Sequence, residues 1–127
     1  MTKHEEMKNF YEVTITKFPL DSNTADKVYI NRGFEKKDEA YHVWFEAFAE
    51  VTNMYMKKRQ TANVLKHFEF FMYHSKNGTE VIKNCIDVSY VENLFWEINS
   101  ETSKYYWSLL PKKLQELYFA FHHGMPY

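Results

Sequence analysis

The feature that most constrains the fold is one turn signal set between two long runs of helical periodicity. Residues 61–98 read TANVLKHFEFFMYHSKNGTEVIKNCIDVSYVENLFWEI. Apolar residues recur at steps of three and four before the Asn77-Gly78 dipeptide, and after it the chain is apolar on more than one side. This pattern predicts an antiparallel helical hairpin. Thr61 and Thr79 are predicted to begin its two helices, and Asn77-Gly78 is predicted to supply left-handed backbone between them.

The first half of the chain is predicted to contribute two helices and a long loop. Residues 3–18 have apolar residues at helical steps, and the following proline ends that helix. Residues 19–36 hold Asp, Ser, Asn and Gly and are predicted to form a loop, in which Ser22 or Asn23 could start a short turn of helix and Lys27-Val28-Tyr29-Ile30 could form a strand-like piece that has no partner strand. Residues 38–58 form the longest predicted helix, with Asp38 as its N-cap.

The C-terminal part is predicted to return to helix after a polar break near residue 100. Pro111 suits the first turn of a helix over residues 111–122, which Gly124 closes. The expected fold is all-α, with about five to six helices in antiparallel pairs forming a bundle. We expect one domain over residues 1–127, with its main helical core at 37–123.

Composition narrows the class of protein. Gly and Pro number only 3 each, which favours helix over loop-rich folds. The single cysteine, Cys85, permits no internal disulfide, and no apolar run approaches the length of a membrane span. The N-terminal residues lack the apolar core of a secretory signal. We therefore expect a cytoplasmic protein with no membrane association.

No motif of catalysis or cofactor binding is recognised in the sequence. The net charge of −1 gives no field to attract nucleic acid. The 6 histidines include no HxxxH or HExxH spacing, so no metal site is predicted. Gly-rich phosphate loops and nucleophile motifs are missing as well. We expect a protein that is not an enzyme, although an enzyme or ligand-binding domain that uses the histidines stays open as an alternative.

The positive signal is a group of acidic and aromatic residues between positions 80 and 105. Its members are Glu80, Asp87, Glu92, Trp96, Glu97, Glu101 and Tyr105. Several recur at multiples of seven, which places Glu80 and Asp87 on one side if the segment is a continuous helix. Such a surface suits a basic protein partner. The alternative is an ordinary solvated helix face with structural aromatics.

The C-terminal half also resembles a family of small helical bacterial proteins. The matching elements, in order, are Phe68-Glu69-Phe70-Phe71, Asn77-Gly78, Thr79-Glu80-Val81-Ile82-Lys83-Asn84, Tyr90-Val91-Glu92-Asn93-Leu94 and Leu109-Leu110-Pro111-Lys112-Lys113. The resemblance covers residues 61–121, and its last element lacks a glycine that the family pattern contains. Members of this family resemble immunity proteins of polymorphic toxin and contact-dependent growth inhibition loci.

The resemblance implies a cytoplasmic immunity protein that needs no cofactor. Such a protein would bind the C-terminal domain of a cognate toxin, commonly a nuclease, and neutralise it in the producing bacterium. The family's Glu-Asn pair corresponds to Glu92 and Asn93. We expect Asn93 to bond backbone near a turn and Glu92 to lie at the interface or between helices. The alternative is a helical protein–protein adaptor with another partner.

Overall fold

Helices make up the regular structure of the chain, and the all-α prediction is confirmed. The computed structural model describes residues 1–127 and contains no β-strand. The helices are α1 (Lys3–Lys17), α2 (Pro19–Asn31), α3 (Tyr41–Lys57), α4 (Thr61–Asn77), α5 (Glu80–Cys85), α6 (Ser100–Leu109) and α7 (Lys112–His122). A 3₁₀ turn precedes α3 at Lys36–Asp38. The seven α-helices exceed the predicted five to six.

The additional helix in the first half is α2, where the sequence predicted a loop. Pro19 does end α1, but it also stands in the first turn of α2, where a missing backbone N–H is tolerated. The buried residues of α2 are Ser22, Ala25 and Tyr29, spaced at helical steps. Because these side chains are small or carry a hydroxyl group, the buried face of α2 does not stand out as an apolar stripe in the sequence. The loop predicted for residues 19–36 was therefore wrong.

The predicted long helix after Gly78 was also wrong, because only its first turns are α-helical. After α5 the chain continues as a π-helical turn at Ile86–Tyr90 and a 3₁₀ turn at Val91–Asn93. It then runs in irregular backbone to the start of α6. An apolar run that is buried on several sides does not distinguish among these conformations. A buried side chain of α3, Asn53, supplies hydrogen bonds that a continuing helix would have made.

The predicted helix ends are partly confirmed. Thr79 caps α5 by accepting a hydrogen bond from the Ile82 N–H at 3.3 Å. Asp38 does not cap α3; its carboxylate accepts the Glu35 N–H at 2.7 Å in the preceding 3₁₀ turn. Thr61 is the first residue within α4, and its hydroxyl hydrogen-bonds the Tyr106 hydroxyl at 2.9 Å.

Gly78 is required for space and not for left-handed backbone. Its φ of −77° is open to any residue, so the predicted left-handed turn was wrong. A Cβ on Gly78 would lie 2.6 Å from the His74 carbonyl oxygen and 2.8 Å from the Ile82 side chain. At the end of α7 the left-handed residue is His123, with φ 56°, and not the neighbouring glycine.

The core is one continuous cluster organised around α3. That helix buries Trp44, Phe45, Phe48 and Met56, and it contacts α2, α4 and the π-helical turn. The core also takes side chains from the first thirty-one residues, namely Met7, Phe10, Phe18, Ala25 and Tyr29. None of the helices combines the length and hydrophobicity that crossing a membrane would require. Side chains on opposite sides of α3 open onto two separate clefts, one bordered by Asn53 and one by Tyr55.

Candidate functional site

Trp96 is the most exposed tryptophan of the chain, and the residues on both sides of it have unusual backbone angles. The side chain is 72% exposed, whereas Trp44 and Trp107 are buried. Both neighbours of Trp96 have positive φ, 69° at Phe95 and 55° at Glu97. Residues other than glycine adopt such angles at a cost of roughly 1–3 kcal/mol each, and they persist where the surroundings enforce them. Strained backbone at an exposed tryptophan marks this segment as a candidate site.

The side chain of Asn53, a buried residue of α3, holds the backbone of this segment in place. Its side-chain amide donates to the Asn93 carbonyl at 2.9 Å, and its side-chain carbonyl accepts the Phe95 N–H at 2.9 Å. Asn93 itself donates to the Ser89 carbonyl at 2.8 Å, so its predicted bond to backbone near a turn is confirmed. With the Phe95 ring buried on one side, Trp96 is directed outward.

The Phe95 ring fixes the segment against the C-terminal helices. It lies 6.0 Å from the Trp107 ring and 5.5 Å, edge to face, from the Tyr118 ring. Aromatic pairs in these arrangements add to the stabilisation from burial. The segment around Trp96 is therefore anchored through a ring as well as through its backbone.

Beside Trp96 lies a shallow cleft of about 260 Å³ with acidic walls. Its charged residues are Arg32, Glu46 and Glu50. One guanidinium serves both carboxylates, with Arg32 Nη1 3.1 Å from Glu46 and Nη2 3.0 Å from Glu50. Two carboxylates share one cation, so the cleft keeps a net negative charge.

Asp87 and Glu92 extend this acidic region. Burial raises the pKa of the Asp87 carboxyl. Burial also raises the pKa of Glu92, as do the charges of Asp87 and Glu46, while His122 opposes the shift. The His122 imidazole lies 2.9 Å from the Glu92 carbonyl oxygen. The two carboxyl groups thus lie near one another in partly desolvated positions, where their charges are costly to the fold.

The structure brings together only part of the predicted surface. Asp87 and Glu92 lie in the acidic region, and Trp96 and Glu97 follow along the exposed segment. Glu80 lies apart at the start of α5, with its side chain 94% exposed and 3.8 Å from the Lys83 ammonium. The change from α-helix to π-helix removes the register on which pairing Glu80 with Asp87 depended.

The other two predicted residues belong to α6. Glu101 lies exposed in its first turn. The ring of Tyr105, 45% exposed, lies 5.6 Å below the guanidinium of Arg59. Sequence reasoning missed the contribution of α3, where Glu46 and Glu50 stand one helical turn apart. That spacing is visible in the sequence, but Glu46 and Glu50 lie outside the predicted group between positions 80 and 105.

A second arrangement that the sequence did not reveal is a buried polar network. His67 Nε2 lies 2.7 Å from Asp21 Oδ2, and His67 Nδ1 lies 2.8 Å from the Thr52 hydroxyl. The Thr52 hydroxyl also lies 2.9 Å from the Tyr90 hydroxyl, and the Tyr55 hydroxyl donates to the other Asp21 oxygen. These side chains come from α2, α3, α4 and the π-helical turn.

The order hydroxyl, imidazole, carboxylate resembles a nucleophilic triad, but the geometry is inverted. In a triad the hydroxyl faces the substrate and the carboxylate lies behind the histidine. Here the Thr52 hydroxyl is in the core at 0% exposure, while Asp21 borders a cleft. A substrate in that cleft would meet the carboxylate and not the hydroxyl. The network therefore joins helices and orients Asp21.

Comparison with known proteins gives a family without an assigned activity. A family model described as a domain of unknown function (DUF7674) matches residues 6–124. No curated protein and no solved structure matches the chain.

Proposed function

The chain belongs to the DUF7674 family of domains of unknown function, and we propose that it is an immunity protein that binds and neutralises a cognate toxin domain. The binding surface is the outward-directed Trp96 with the acidic region beside it, here called the Trp96 surface: Glu46, Glu50, Asp87, Glu92, Trp96 and Glu97. The observation that supports binding is an exposed tryptophan between two residues of positive φ, in a segment that a buried asparagine holds through the backbone of Asn93 and Phe95. The resemblance of the C-terminal half to immunity proteins supports the identity of the partner.

A tryptophan presented in this way has the properties of an interface anchor. Tryptophan is enriched among the few residues that contribute most of the binding energy, because it buries a large area with little side-chain entropy to lose. Presentation on fixed backbone further lowers the entropy lost on binding. Trp96 would be the centre of the interface, and the carboxylates would surround it.

The acidic surroundings favour a basic partner. Carboxylates around an anchor increase the association rate with a positively charged surface and select against acidic partners. Nuclease toxins have basic substrate clefts, so a nuclease domain is the proposed target. A helical adaptor that binds another basic protein is the alternative, since the same surface would serve it.

Growth rescue with co-purification tests this proposal. The proposal requires a toxin-like C-terminal domain encoded next to this gene, and that domain is induced in a sensitive strain together with the wild-type protein or a variant. Wild type is expected to restore growth and to co-purify with the domain. Trp96→Ala is expected to weaken binding by about thirtyfold or more, as for an interface hot spot. Leu65→Ala, which trims another exposed apolar side chain (41% exposed) outside both clefts, is the control.

A matched pair of charge reversals tests the acidic component. Glu97→Lys and Glu80→Lys each replace one exposed carboxylate, but only Glu97 adjoins Trp96. Glu97→Lys is expected to slow association and reduce its salt dependence, whereas Glu80→Lys leaves both unchanged. Equal effects would contradict the location of the surface. A well-expressed wild-type protein that neither rescues growth nor binds the domain would contradict immunity and favour the adaptor.

A further inference from the structure

A second cleft, of about 1120 Å³, lies between the corner of α1 and α2 and the outer face of α4. Its aromatic lining consists of Phe18, Tyr55, His67, Phe70, Tyr73 and His74. Val13, Leu20 and Tyr73 are exposed around it at 46%, 79% and 60%. The cleft is separate from the Trp96 surface, because Tyr55 and Asn53 project from opposite sides of α3.

Asp21 is the one carboxylate held within this aromatic cleft. Its side chain is 15% exposed, whereas Lys17, Lys66 and Glu69 lie in solvent at the margin. Burial alone would raise the pKa of Asp21, but hydrogen bonds from His67 and Tyr55 outweigh burial and hold the pKa below its usual value. The carboxylate therefore stays ionised inside the cleft at neutral pH.

The hydrogen bonds to Asp21 leave it negatively charged and incompletely satisfied. An ionised carboxylate only accepts, so His67 Nε2 donates to it, while His67 Nδ1 shares a hydrogen bond with the Thr52 hydroxyl. The Tyr90 hydroxyl can in turn donate to Thr52. A carboxylate has about four acceptor positions, of which His67 and Tyr55 use two. No lysine or arginine lies within 4.0 Å of Asp21.

A neighbouring cleft contains a similar carboxylate that is paired with a lysine of the protein itself. Asp26, one helical turn and one residue further along α2, borders a cleft lined by Tyr11, Tyr29, Tyr41 and Trp44. It accepts a hydrogen bond from Trp44 Nε1 at 2.9 Å, as Asp21 accepts one from Tyr55. There the protein provides the cation, since the Lys36 ammonium lies 3.9 Å from Asp26. At Asp21 the basic side chain within 4.0 Å is the His67 imidazole, and no lysine or arginine lies beside it.

We propose that the Asp21 cleft binds an organic cation, an ammonium or guanidinium group carried on an apolar body. Asp21 would receive the charge, the aromatic rings would surround it, and the apolar margin would contact the body of the ligand. The cation could belong to a free small molecule or to the side chain of a peptide. This site is independent of the Trp96 surface and does not rest on the immunity proposal.

Pairs of probes of nearly the same shape, one cationic and one neutral, test the site. Benzamidinium is compared with neutral benzamide, and N-acetyl-phenylalanyl-arginine amide with its citrulline counterpart. Binding is followed by calorimetry and by NMR shifts of the Asn63 and Tyr73 amides. At least one charged probe is expected to bind about tenfold or more tightly than its neutral partner, as for a charge-assisted hydrogen bond. Stronger binding of the amidinium assigns a free cation, and stronger binding of the peptide assigns a side chain.

Substitutions in and near the cleft test whether Asp21 is the residue that contacts the cation. Asp21→Asn can keep both hydrogen bonds, with the Tyr55 bond reversed, and is expected to abolish the preference for charge. Asp26→Asn, a carboxylate of the same helix at the other cleft, is the matched control and keeps the preference. Lys66→Ala is expected to tighten binding, because the ammonium of Lys66 already acts on Asp21. Equal affinity for charged and neutral probes in the wild type, or an unchanged preference in a folded Asp21→Asn variant, would overturn the proposal.

Discussion

Replacing Asn53 by alanine should destabilise the fold and release Trp96 together. Asn53 is 4% exposed, and its side chain is the partner of two backbone groups, the Asn93 carbonyl and the buried Phe95 N–H. Alanine offers neither a donor nor an acceptor, so both groups lose their partners. The positive φ at Phe95 would then lose the Asn53 hydrogen bond that helps to hold it, and the Phe95 ring would be the remaining anchor of the segment.

The size of the effect follows from the two lost bonds. A buried N–H without a partner costs about 1–3 kcal/mol, and a part-buried carbonyl costs about 1 kcal/mol. The expected loss in the free energy of unfolding is therefore about 2–4 kcal/mol. For a chain of this length, 1 kcal/mol corresponds to roughly 4 °C in Tm. We thus expect Tm to fall by about 8–16 °C.

Two measurements check this reasoning. Thermal unfolding followed by circular dichroism gives the change in Tm, and hydrogen exchange reports the Phe95 amide directly. Trp96→Ala is the contrasting variant, since an exposed side chain contributes within about 0.5 kcal/mol. Trp96→Ala should lower the affinity for the partner without lowering Tm, whereas Asn53→Ala should lower both the affinity and Tm. A fall in Tm below about 2 °C, or unchanged protection of the Phe95 amide, would refute the role given to Asn53.

Of three further substitutions, one is expected to lower the stability of the fold and two are expected to raise it. Gly78→Ala should lower the free energy of unfolding by about 1–3 kcal/mol, because its Cβ would meet the His74 carbonyl at 2.6 Å; an unchanged Tm would contradict the close approach. Asp87→Asn should stabilise the protein near neutral pH. Burial raises the pKa of Asp87, so its favourable contribution is complete below the ordinary value of 3.8 and is lost as pH rises through the folded value. Urea titrations should therefore show the gain at neutral pH and no gain in acid, and a loss at neutral pH would argue against burial of the charge. His123→Gly should raise stability by about 0.5–1 kcal/mol by relieving a positive φ of 56°, and a lower Tm would refute that.

The sequence predicts the fold class because most apolar side chains recur at helical steps. It fails at α2, where Ser22 and Ala25 occupy buried positions that a hydrophobicity pattern does not mark. It fails again after Cys85, where burial on several sides is compatible with α-helix, π-helix and irregular backbone alike. In both places the deciding factor is packing against α3, which lies elsewhere in the chain.

The Trp96 surface and the Asp21 cleft differ in how much of each could be predicted from the sequence. Asp87, Glu92 and Glu97 are close to Trp96 in the chain, so this part of the group was predicted, but the α3 carboxylates Glu46 and Glu50 and the reason for the exposure of Trp96 were not. Asp21 and His67 are 46 residues apart, and no local pattern connects them. Their pairing arises only when α2 and α4 meet beside α3, so it had to come from the structure.

The network from Asp21 to Tyr90 also has a consequence for folding kinetics. Its links join residues separated by 15, 38 and 46 positions, so each link closes a long loop before it contributes. We expect such links to form after the local helices and therefore to be absent from an early transition state. Removing the Thr52 hydroxyl should then speed unfolding at an unchanged folding rate in stopped-flow experiments, and slower folding would place the network in the nucleus instead. The network would thus act chiefly on the lifetime of the folded protein.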